Sequence, residues 1–206
     1  MKTRITTLVI SAALGIASSV CAAAPIDSIY TSLKTEACKT LAANENEGGS
    51  YQGRCPGTAG YQLDVLEGDI RQSITVIDPK GNEFPLNLWS TVSSGFSAVG
   101  EKAEWRVEKI AAKKRPIALI VRFNVSGDPE HPERTTSYLV VSKITANEIC
   151  VTDVVKPSST ANQQARVLAD SAATKACKTH KHDKTACHWR DNADAGILHR
   201  LKIPTS

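Results

Sequence analysis

Three imidazoles and a thiol fall close together near the C-terminus: His180, His182, Cys187 and His188. Nitrogen and sulfur donors at this density are the ligand types that zinc or copper takes. The spacing matches no defined zinc motif, and Lys181 between two of the histidines sets a cation beside any bound metal. A solvated basic tail is the competing reading. Cys187 carries a further expectation, an intermolecular disulfide that would make a dimer. Apart from zinc or copper at this tail, the sequence asks for no cofactor.

Elsewhere the chemistry is sparser. His131 lies between Pro129 and Pro132 beside Asp128, Glu130 and Glu133, where an acid/base role competes with the ordinary reading of an exposed loop histidine. Asp69 and Arg71 could form a site pair, or simply a turn carboxylate followed by an outward strand arginine. Arg106, Lys109, Lys113, Lys114 and Arg115 make a basic run that could meet an acidic polymer or lipid headgroups, diluted by Glu101, Glu104 and Glu108. The chain has no G-x-S-x-G elbow, no H-E-x-x-H and no phosphate loop. No catalytic residue is therefore assigned. Trp89 and Trp105 read as packing residues.

The scaffold for these groups is one of ordinary globular composition: 206 residues, 41% hydrophobic and 22% charged, too apolar for a disordered chain. The first 23 residues set Lys2 and Arg4 before an uncharged stretch and then small residues ending in Ala22 and Ala23, the order of a secretory signal peptide cleaved after Ala23. Removing it lowers the net charge from +4 to +2, too little to predict a nucleic-acid partner. Residues 178–206 hold six basic and three acidic side chains, so the positive excess sits in that tail, expected to be flexible. Residues 24–177 are read as the single globular domain.

Export changes the meaning of the cysteines, because thiols in an oxidising compartment crosslink. Cys38, Cys55, Cys150, Cys177 and Cys187 remain after cleavage, an odd number that leaves at least one over. Four cysteines allow three pairings, and sequence neighbourhood favours Cys38 with Cys55 and Cys150 with Cys177. Each bridge would contribute roughly 3 kcal/mol on the chain-entropy estimate.

The elements follow from periodicity. Residues 27–42 space Ile29, Leu33, Ala37 and Leu41 four apart, which predicts an N-terminal helix. Residues 51–55 and 61–66 read as strands around the turn Pro56-Gly57-Thr58-Ala59-Gly60, and residues 70–77 alternate as a third. Residues 83–101 show no sustained period and predict a long connection or short edge pieces. Strands are also predicted over 103–109, 117–125, 137–145 and 148–155, with 117–125 the clearest alternation and hence central. Ala165, Leu168, Ala169, Ala172 and Ala176 form one stripe in residues 160–177, a helix. The sum is an α+β fold: an antiparallel sheet of about six or seven strands with an N-terminal helix and a C-terminal Ala-rich helix packed on it.

Several short motifs, in order, carry a resemblance: Tyr30-Thr31-Ser32-Leu33 before Cys38, Cys55-Pro56-Gly57, Glu67-Gly68-Asp69-Ile70-Arg71, Glu104-Trp105-Arg106-Val107, Cys150, and Ala165-Arg166 with Ala169-Asp170 before Cys177. Over roughly residues 28–177 the chain resembles a family of exported alphaproteobacterial proteins that have no assigned function. The resemblance implies that Cys38, Cys55, Cys150 and Cys177 are that family's four cysteines and that the domain is an exported module. It implies no catalytic residue. The tail with Cys187 and its histidines departs from the pattern.

The expected function is an exported, periplasmic, non-enzymatic binding or accessory module for an envelope protein, without a nucleic-acid partner and without a membrane-spanning segment once the leader is removed. One alternative is a metal- or redox-responsive protein acting through the tail. The other is a hydrolase with an unrecognised site.

Overall fold

The computed structural model describes residues 24–44, 49–111, 113–128 and 130–178. The predicted leader, 1–23, lies outside them, as does the tail beyond Lys178 with His180, His182, Cys187 and His188.

Ten strands form one mixed sheet. They are β1 (Ile26–Ser32), β2 (Lys39–Asn44), β3 (Ser50–Pro56), β4 (Gln62–Gly68), β5 (Arg71–Ile77), β6 (Glu83–Pro85), β7 (Ser97–Ile110), β8 (Lys113–Ser126), β9 (Thr135–Ile144) and β10 (Ile149–Val155). Two helices complete the described chain, the single turn α1 (Leu88–Thr91) and α2 (Ala161–Asp170), with short 3-10 turns at Thr35–Ala37 and Ala172–Thr174. The strand order is β10-β9-β8-β7-β5-β4-β3-β2, with β1 antiparallel on β7 and β6 on β5. All pairings are antiparallel except a parallel bridge of Arg71 with Ser97, where β5 meets the start of β7.

This corrects the expected α+β fold of six or seven antiparallel strands. The N-terminal helix does not form: residues 27–42 are β1, a 3-10 turn and β2. The four-residue spacing misled because Ile29 and Leu33 also sit two apart from Thr31, and that alternation turns them to one side of a strand. Leu33 is buried, Leu41 is exposed, and Trp105 Nε1 donates to Thr31 Oγ1 at 3.0 Å. β1 pairs with β7 over its whole length, from Ile26 opposite Glu108 to Ser32 opposite Lys102. Long-range pairing with a buried strand outweighs local helical spacing here.

Residues 83–101 hold β6, α1 and the first part of β7, which is twice as long as the predicted strand. The Ala-rich segment is helical only to Asp170, followed by a 3-10 turn.

The sheet curls over one core. Leu63, Val65, Ile74 and Val76 from β4 and β5 share it with Trp105, Val107, Leu119, Val121, Phe123 and Val140 from β7, β8 and β9. On the opposite face of β8 and β9, Ala118, Ile120, Leu139 and Val141 pack against Ala161, Ala165, Ala169 and Ala172. Small side chains along α2 let its backbone lie close to the sheet. Two faces of β8 are thus buried, which is why its sequence reads as nearly continuous apolar residues.

Candidate binding groove

β5 turns Ile74 and Val76 into the core, so Ser73 and Thr75 point to the outer face by strand alternation. There a cavity of about 860 Å³ opens, with Leu66, Ser73, Thr75, Pro85 and Trp89 in its lining and Glu67, Asp69 and Glu83 among its charged residues. Its wall is the β6–α1 segment. The Ser73 hydroxyl accepts the Leu88 N–H at 3.0 Å, and Leu88 is fully buried, so the turn of helix is pinned from below. Asn87 enters that helix in the left-handed region at φ 48°. With Leu88 turned inward, the next residue, Trp89, is left 51% exposed at the cavity wall.

Thr75 is the unusual member of the lining. It is nine-tenths buried as a residue and still lines the cavity. The Trp89 indole N–H has no described partner. The cavity therefore offers an aromatic face, the Thr75 side chain and three carboxylates against one arginine.

That arginine is committed. Arg71 pairs with Asp69, donates from Nε to the Ser94 carbonyl at 2.8 Å, and stacks 5.1 Å from the Phe96 ring centre. Asp69 with Arg71 is thus a brace for the β4–β5 hairpin. The two residues at its tip, Asp69 and Ile70, both lie at positive φ, 49° and 56°, which is the backbone of a type I′ turn. Ile70 is 59% exposed there.

The basic run is divided by the fold. Arg106 is buried, donating from Nε and Nη2 to Asp170 at 2.7 and 2.9 Å and from Nη1 to Ser28 Oγ at 2.5 Å. It cannot belong to an exposed patch, because strand alternation on β7 turns it under α2. Beside it Arg166 donates to Glu104 at 2.6 Å and to the Tyr30 hydroxyl at 2.9 Å, and its hydrogen bond to the Glu104 carboxylate raises the Arg166 pKa. Lys109 pairs with Asp27 and Arg115 with Glu108. The hydrogen bond and charge of Lys109 hold the Asp27 carboxyl below the usual carboxylate range. Lys113 and Lys114 form no close ion pair among the described residues, though the charge of Lys114 adds to the lowering of the Asp27 carboxyl.

His131 Nδ1 lies 3.4 Å from Glu133 Oε1 on an exposed loop, away from the groove. The four paired cysteines are Cys38–Cys55 and Cys150–Cys177, the neighbour pairing. Glu148 lies near Cys150 and Cys177, a grouping that could hold an ion, but the two sulfurs are bonded to each other. No helix among the described residues is long and apolar enough to cross a membrane.

Sequence reasoning missed Thr75 and Trp89 as a pair. The alternation of residues 70–77 already set Thr75 on the outer side, but nothing local says that Trp89 arrives beside it. Comparison of the chain with protein-family models, with curated proteins and with solved structures finds no match.

Proposed function

We propose that this protein is an exported, non-enzymatic binding module that captures a segment of an envelope protein in the groove beside Trp89. The convergence on one cavity of the exposed Trp89 ring, the Ser73 and Thr75 side chains and the carboxylates of Glu67, Asp69 and Glu83 carries the reading. Apolar lining with a few convergent polar groups is the general composition of a ligand site. Neither Ser73 nor Thr75 is hydrogen-bonded to an imidazole or carboxylate, the arrangement that would activate a hydroxyl as a nucleophile. Export is supported by the leader-like N-terminus and by two intrachain disulfides, which persist in oxidising compartments.

The test is site-specific photo-crosslinking in intact cells, with benzoylphenylalanine at position 89 and, as control, at exposed Lys156. A discrete adduct from position 89 that disappears with Thr75→Leu is the expected result. The same adducts from both positions, or none from position 89, would remove the groove as the binding site.

A further inference from the structure

The end of the β7–β8 ribbon is built as a graded cationic tip. Register places Glu108 opposite Arg115, Lys109 opposite Lys114 and Ile110 opposite Lys113, in that order toward the turn. Ala111 makes the turn at φ 54°. β9 pairs with β8 only from Ala118 to Ser126, β1 pairs with β7 as far as Glu108, and the Pro25 carbonyl accepts the Lys109 N–H at 3.2 Å, so the ribbon extends past its neighbours' pairing from Ile110 to Lys114. Pro116, which cannot donate to a ladder, sits beside the irregularity in pairing at Arg106 and Val107, where the sheet gives way to the ribbon.

Charge is ordered along this projection. Lys109, Lys113, Lys114 and Arg115 face two carboxylates, and both carboxylates lie on the body side of the three lysines. Glu108 is tied to Arg115 and Asp27, in register with Val107, to Lys109. At about 3.3 Å per residue, Ile110 stands roughly 7 Å beyond Glu108. Two lysines directly across a strand pair repel each other, a cost that an external anion relieves. One rung beyond them and level with Lys113, Ile110 is 49% exposed. Lysines alone suit any polyanion; an exposed isoleucine on the outermost rung, beside Lys113, suits an anionic layer with an apolar phase behind it.

We infer that the ribbon tip docks the protein on an anionic phospholipid surface, the lysines at the phosphate level and Ile110 entering the acyl boundary. Opposed amphipathic character of this kind is what holds peripheral segments at a bilayer interface. The surface is separate from the groove, and the two can be occupied together.

Flotation of the full chain with phosphatidylcholine vesicles, with and without an equal part of phosphatidylglycerol, tests this. Binding to the anionic vesicles alone, abolished by high salt, is expected. Lys113→Glu with Lys114→Glu should weaken it by about tenfold or more, and Ile110→Ser by several-fold. Lys80→Glu with Lys156→Glu makes the same change in net charge elsewhere and should leave binding unaltered, which separates the tip from the basic tail. Equal weakening by both pairs, or no binding by the parent protein, overturns the inference. Binding of soluble polyphosphate as tight as vesicle binding, with Ile110→Ser without effect, would make the tip a polyanion site and also overturn it. Near-ultraviolet circular dichroism confirms that each variant is folded, and Lys113→Gln with Lys114→Gln repeats the test with a milder change.

Discussion

Arg106 reaches from the middle of β7 to Asp170 at the last residue of α2 and closes a two-pronged ion pair, Nε to Oδ1 at 2.7 Å and Nη2 to Oδ2 at 2.9 Å. The pair ties the helix to the sheet at the point where the Ala stripe ends. Ser28 on β1 accepts from the third guanidinium nitrogen and donates its hydroxyl hydrogen bond to Glu104, which holds Arg166. One polar chain therefore joins the first strand, one of the two 14-residue strands and the final helix.

Asp170→Ala strips the partner from an arginine whose side chain is only 10% exposed. Asp170 itself keeps about a third of its surface in water, so the loss should fall below that of a fully buried pair, at about 2 kcal/mol. Urea denaturation should show this as a lower midpoint with unchanged slope. A midpoint equal to the parent's would mean that the pair contributes nothing.

Ile70→Gly should stabilise the protein, by about 1 kcal/mol. Ile70 occupies a left-handed position at φ 56° that a β-branched residue resists, and its side chain is mostly in water. Thermal or chemical denaturation that finds the variant less stable would show that Ile70 packs in a way its exposure does not convey.

Replacing Cys150 and Cys177 together by Ala should cost about 3 kcal/mol and loosen the segment after α2 first. Hydrogen exchange reads both effects. Faster exchange should appear at residues 171–178 before β8 is affected, because β8 is buried on both faces whereas the C-terminal segment is held by the bridge and by two lysine contacts.

Burial lifts the Tyr61 phenol above the ordinary tyrosine value, with the charge of Asp78 adding to it, and the ring lies 5.9 Å from Trp105. In the unfolded chain the phenol ionises near pH 10. The folded state therefore holds its proton to higher pH than the unfolded state. Stability is insensitive to this group below about pH 10 and falls as pH rises beyond it. In Tyr61→Phe that alkaline fall should be shallower, and the latest-ionising fraction in the 295 nm titration should be missing.

Legibility in the sequence was uneven for identifiable reasons. The run from Ile117 to Val125 announced β8 because most of its residues are paired on both edges and buried, leaving a clean apolar pattern broken only by Arg122 and Asn124. The neighbour pairing of cysteines was also readable, since each bridge closes a modest loop, 17 and 27 residues apart. β1 was not readable. Its identity depends on a partner strand more than seventy residues away, and its spacing satisfied a helix equally well. Arg106 was read by charge alone as exposed, whereas its surroundings are set by Ser28 and Asp170, distant in sequence. The groove had no local signature, because Thr75 and Trp89 come together only through Leu88 anchoring a single helical turn.

The strap after α2 has a consequence for self-association. Lys178 donates its backbone N–H to the Val151 carbonyl at 2.8 Å, next to the Cys150–Cys177 bridge, so part of the free rim of β10 is already taken by the chain itself. β2, at the other limit of the sheet, is exposed at every residue and is broken by an irregularity between Thr40 and Ala42. Copies that join rim to rim need two receptive borders to grow into a filament. Here one is partly occupied and the other is bent, which disfavours growth by rim-to-rim addition at these two borders.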